Sequence, residues 1–211
     1  MTKRQSTVLI SGIVLTALYW DVALLYTNKQ AYSKDLVLFH VLFGNGADLD
    51  VWQYIYQFVV TVLLFLIVPY CIFRFYLNED FLSLGIRFVP NREALIVCAV
   101  LYPMVIASTY FSSQDPLIAG EYPLSKGIGA SWFIFILYEL AYFFYFVSYE
   151  IFYRGFFSFG LKTAQGGKRE LITIIVLQTL LTTLFHIGKP TPEIAMAAAF
   201  GPVFGYVAFR Y

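Results

Sequence analysis

Three side chains able to do acid–base or metal chemistry sit where the sequence is otherwise apolar. Glu150 and Arg154 interrupt the aromatic stretch YEIFYRGFF, and His186 interrupts LLTTLFHIGKPTPE. Glu150 and Arg154 are four residues apart, so on a helix they share one face and are able to pair. An Arg fork holds a carboxylate in a fixed orientation. The plain structural alternative is an ion pair that sets helix register. His186 shifts the balance. If the helices on either side of 163–170 both start at the cytoplasmic face, Glu150 lies about 20 Å up and His186 about 24 Å up, at 1.5 Å per residue. The two are then expected to meet across an antiparallel helix pair. A carboxylate beside an imidazole suits water activation: the carboxylate takes the proton, and the imidazole binds a metal or polarises a carbonyl.

Other ionisable groups rank lower. Glu139, eleven residues before Glu150, falls on nearly the same helical face. Asp21 has no evident partner in the sequence. After His186 the chain shows turn chemistry: Gly188 and Pro190 break the helix, Thr191 is expected to cap the next one, and Pro192 follows at its first position. Glu193 then falls in the first turn, either compensating the helix dipole or acting as a further ligand. Ala197, Gly201 and Gly205 recur every four residues, a small-residue stripe that allows close approach of a neighbouring helix.

The elements that must position these groups are membrane helices. Of 211 residues, 60% are hydrophobic and only 13% charged, with a mean hydropathy of +0.71. Soluble domains run nearer half apolar and a quarter charged. A crossing needs about 20 apolar residues, and six runs come close: 7–26, 53–77, 92–112, 129–163, 170–188 and 193–210. The expected fold is all-α, a polytopic transmembrane bundle of about six spans. The first run follows MTKRQ and reads as a retained span or signal anchor. LVLFHVLFG, 36–44, is too short to cross and reads as interfacial or re-entrant. The stretch around 113–128 is the expected seam between an N-terminal region, 1–128, and a C-terminal region, 129–211.

With the N-terminus cytoplasmic, the inner loops hold Lys3, Arg4, Arg74, Arg87, Arg92, Lys162, Lys168 and Arg169. The outer loops then hold only Lys29, Lys34, Lys126 and Lys189. A net charge of +1 points away from nucleic acid. Cys71 and Cys98, both in apolar runs, make neither a disulfide framework nor a CxxC zinc site.

YEIFYRGFF, the His of FHIGKP and the small-residue helix AMAAAFGPVFGYVAFRY together resemble the CPBP family, the CAAX-processing and bacteriocin-processing intramembrane proteases also called Abi. The resemblance covers about residues 130–211. The family's first motif is Glu-Glu-x-x-x-Arg. Glu150 matches its second Glu, Arg154 its Arg, and Tyr149 stands where the first Glu belongs. A variant with an aromatic before a single Glu, followed by His-x-Gly-Lys-Pro-x-x-Glu, fits this chain well. The second motif is Phe-x-x-x-His, which His186 matches with Thr182 in place of Phe. The family has a further helix carrying His-x-x-x-Asn. The chain ends at Tyr211, so the expectation is either a fragment or a protein that has lost that helix.

The resemblance implies an intramembrane metallo-endopeptidase in a bacterial plasma membrane, cutting membrane-associated peptides such as prenylated tails, bacteriocin precursors or signal-type peptides. It implies Glu150 as the water-activating residue and Arg154 as its orienter. His186 would be a zinc ligand or oxyanion stabiliser, with Glu150 and Glu193 as further candidate ligands for Zn2+. A non-catalytic relative that binds a peptide or partner protein is the first alternative, and a small transporter or proton relay the second.

Overall fold

The computed structural model describes residues 2–24, 49–86 and 92–210. The short apolar run 36–44, with His40, lies outside the described residues. Those described form an all-α protein without strands. In chain order the helices are α1 Lys3–Ala23, α2 Leu49–Tyr76, α3 Arg92–Ser112, α4 Pro116–Glu121, α5 Trp132–Phe159, α6 Lys168–Phe185 and α7 Thr191–Arg210. Several carry π-helical stretches, the longest being Ile151–Phe159 at the end of α5.

Five of these helices, α1, α2, α3, α5 and α7, are long and apolar enough to cross a bilayer. The chain is an integral membrane protein. The sixth expected span, 170–188, is not among these five. Its helix, α6, opens with Lys168, Arg169 and Glu170, which leaves only Leu171 to Phe185 as an apolar length. That is roughly 22 Å, below the ~30 Å hydrocarbon core.

The chain forms two compact units interleaved in sequence, and it passes from one to the other inside α5, after Phe152. One unit holds Leu9–Glu79 and Pro123–Phe152. Its core is aromatic. Phe58 of α2 meets Tyr138, Tyr142 and Tyr145 of α5 with ring centroids 5.3, 5.0 and 5.2 Å apart. Phe65 stacks flat on Phe152 at 4.2 Å, and Gln57 Nε2 donates to the Tyr19 hydroxyl at 2.9 Å. At the start of α2, Asp50 Oδ2 accepts from Ser125 Oγ, Lys126 N and Gly127 N at 2.9, 2.7 and 3.2 Å. The carboxylate so anchors the turn that leads into α5, whose own N-cap is Ser131, accepting from Ile134 N.

The other unit holds Met1–Val8, Asp80–Tyr122 and Tyr153–Tyr211. Its centre is the antiparallel hairpin of α6 and α7. Glycine at 201 and 205 makes the close approach possible: a β-carbon at Gly201 would lie 2.7 Å from Thr179 Cγ2, and one at Gly205 would lie 2.8 Å from Gln178 Oε1. The expected small-residue stripe therefore finds its neighbour in α6. α6 starts where the Glu170 carboxylate turns back to accept from Thr163 N and Oγ1, each at 2.9 Å. The π-helical end of α5 runs parallel to α7, with Phe159 against Phe209 at 4.8 Å. α3 has no buried residue.

This unit has a basic end. Arg4 Nη2 donates to the Phe159 carbonyl at 3.1 Å, and Gln5 Nε2 to that of Leu161 at 2.9 Å. Lys162 lies over the rings of Phe159 and Phe209. Arg210 reaches Glu93 at 3.8 Å. Lys168 and Arg169 open α6 on the same side of the hairpin, opposite its turn.

Candidate active site

The hairpin turn is built by its own sequence. α6 ends at Phe185 with His186 as C-cap, and Gly188 takes a left-handed φ of +90° that suits glycine. The Lys189 N–H returns to the His186 carbonyl at 3.0 Å. α7 begins one residue differently from expectation. Thr191 is its first helical residue, and the Pro190 carbonyl accepts from the N–H groups of Glu193 and Ile194.

His186 is half-buried on this turn, and its Nδ1 lies 2.7 Å from the Thr182 carbonyl oxygen. A carbonyl only accepts, so Nδ1 carries the proton. In the neutral ring Nε2 is then the bare nitrogen. Such a nitrogen takes a proton or binds a metal. It becomes a donor to an oxyanion only when the ring is doubly protonated.

Glu193 sits in the first turn of α7. Its Oε2 accepts from the Tyr122 hydroxyl at 3.1 Å, while its buried Oε1 has no hydrogen-bond partner among the described residues. Lys189 is anchored close by, with Nζ 2.6 Å from Glu121 Oε1 and 5.8 Å from the centroid of the Tyr122 ring.

Arg154 lies in the π-helical stretch of α5, and its guanidinium carbon stands 5.4 Å from the Phe204 centroid. That is a cation–π contact. Phe204 is eleven residues after Glu193, so Arg154 meets α7 roughly 16 Å along the axis from Glu193. Glu150 is the last residue before the π-helical stretch and is exposed, as is Glu139. Tyr149 is buried. The two compact units divide the expected group: Glu150 belongs to the aromatic-core unit, and Arg154, His186 and Glu193 to the hairpin unit.

Residues 130–211 match the family described as type II CAAX prenyl endopeptidase Rce1-like. In this region the chain is similar to that family. Neither the curated proteins nor the solved structures gave a match to the chain. The matched region carries Glu150, Arg154, His186, Lys189 and Glu193. Glu121 and Tyr122, which contact it at the turn, lie outside it.

A catalytic zinc takes three protein ligands and a water. Among the described residues, no three His, Cys, Asp or Glu side chains are grouped to hold a metal. His186 Nε2 is a suitable nitrogen, but the described residues do not make a zinc site by themselves.

Glu121, Tyr122 and Lys189 were not legible as site residues. Their contacts join positions 68 to 71 residues apart, and no local spacing announces such pairs. The only signal was a lone Lys in an apolar turn and a lone Glu-Tyr ending a short helix.

Proposed function

We propose that the chain is a CAAX-type intramembrane endopeptidase that hydrolyses peptide bonds in membrane-associated peptides. The observation that carries this reading is the fixed tautomer of His186: its Nδ1–H is committed to the Thr182 carbonyl, so Nε2 is left as a base or ligand in a region matching a peptidase family. In this reading Glu150 takes a proton from the attacking water. The water oxygen adds to the scissile carbonyl carbon, and the leaving amine is protonated as the C–N bond breaks. Glu150 is exposed, and an exposed intramembrane carboxylate requires water or a polar partner, which is what a water-activating residue needs.

Two measurements test the reading. The first is cleavage by purified chain of a fluorogenic peptide with a farnesylated CAAX tail, beside an unprenylated leader peptide. Glu150→Gln and His186→Ala should each lower cleavage at least a hundredfold with the fold intact. Wild-type rates in either variant would remove that residue from the mechanism. The second is elemental analysis of the same protein beside His186→Ala. Near-stoichiometric zinc that is lost in the variant would require ligands beyond those grouped among the described residues.

The non-catalytic reading, a membrane protein that binds a peptide or partner, is supported by the absence of three grouped ligands among the described residues. Peptide binding without turnover or metal would favour it.

A further inference from the structure

The turn that carries His186 closes on itself through backbone hydrogen bonds, among them Lys189 N to the His186 carbonyl. Ile187 and Gly188 are exposed, and Gly188 is in the left-handed region. The two residues that flank Pro190-Thr191-Pro192, Lys189 and Glu193, are both held from outside the hairpin, and by consecutive residues. Glu121 takes the Lys189 ammonium at 2.6 Å, the Tyr122 ring lies 5.8 Å from it, and the Tyr122 hydroxyl donates to Glu193 at 3.1 Å. The ion pair is not a freely solvated surface contact, since its side chains are 34% and 26% exposed. An ion pair partly withdrawn from water is worth more than an exposed one.

The geometry points to the end of α4 as a strap across the His186 turn, with Glu121 and Tyr122 as positioning residues. α4 is suited to this. It is six residues long and fixed at its start, where Asp115 accepts from Leu117 N at 2.8 Å and Pro116 takes the first position. The strap sets where the turn sits, while the Thr182 carbonyl sets how the ring is oriented. That the strap matters for catalysis rests on the role proposed for His186. The strap itself does not depend on that role.

The experiment uses the full chain in nanodiscs, with Cys71 and Cys98 replaced by Ser and a nitroxide on Ile187→Cys. Glu121→Lys and Lys189→Glu should each mobilise the label, and the double charge reversal should restore the wild-type spectrum. Tyr122→Phe, which keeps the ring and removes only the hydroxyl, should give an intermediate mobility and covers the case in which a charge variant fails to fold. In the peptide assay each single reversal should lower kcat about ten- to a hundredfold with KM little changed, as for a misplaced catalytic group, and the double reversal should recover it. An unchanged spectrum in the single variants, or mobility that the double reversal does not restore, overturns the strap. A mobilised label with wild-type kcat overturns its positioning role. Wild-type cleavage by His186→Ala would instead sink the proposed function, leaving the spectra to judge the strap alone.

Discussion

At the scale of single residues, the useful distinction is between the two nitrogens of His186. Asn at this position can still donate to the Thr182 carbonyl but has nothing at the place of Nε2. His186→Asn should keep the thermal midpoint within a degree or two of wild type and lose cleavage. His186→Leu should lose both, because it leaves the carbonyl without its donor. Asp50 is a second residue-scale case, in which one carboxylate oxygen holds three donors of the turn before α5. Asp50→Ala should cost roughly 2 kcal/mol, given that hydrogen bonds to charged groups are the strong ones, read as a lower midpoint in thermal unfolding. Glu150, Arg154 and His186 were visible in the sequence because charge is conspicuous in an apolar run. The contact of Arg154 with the face of Phe204, fifty residues on, was not.

At the scale of elements, the hairpin was the most legible part. The four-residue repeat of Ala197, Gly201 and Gly205 announced a close helix contact, and the turn residues placed its end to within one position. What periodicity lacked was the identity of the neighbour, since a small-residue face fits any helix that offers a ridge. The structure supplies Thr179 and Gln178 of α6. Gly201→Ala, whose β-carbon would meet the short branched Thr179, should therefore destabilise by about 1–3 kcal/mol, the range for overpacking a tight interface, while Gly129→Ala, with open space around its β-carbon, should change the midpoint little. Comparing the two variants by thermal unfolding in one detergent checks this. The expected span 170–188 holds one charged residue, Glu170, but its helix starts two residues earlier, with Lys168 and Arg169. α6 can still lie in the bilayer because α7, long enough to cross, flanks it through the glycine contact.

At the scale of the molecule, composition settled the class: a chain this apolar is a membrane protein, and among the described residues five helices are of spanning length. Composition could not show how the basic residues gather. In the hairpin unit, Arg4, Lys162 and Arg210 make contacts at one end, with Lys168 and Arg169 on the same side. The bias of basic residues toward the cytoplasm predicts that this end faces inward. A cysteine at Gly167 should then react with a membrane-impermeant maleimide only after cells are opened, whereas one at Ile187 should react in intact cells. The reverse pattern would invert the topology.

The opposed ends of that hairpin have a logistical consequence. The α6–α7 turn bearing His186 and the positive cluster at Arg210 are separated by the length of α7. If the cluster is anchored inside, His186 looks out on the exterior leaflet. A peptide would then meet it after export, or while threaded across the bilayer with its scissile bond near the far surface. A tail still dissolved in the cytosol would be on the wrong side of the membrane. Sidedness, more than side-chain preference, would then decide which peptides this protein ever encounters.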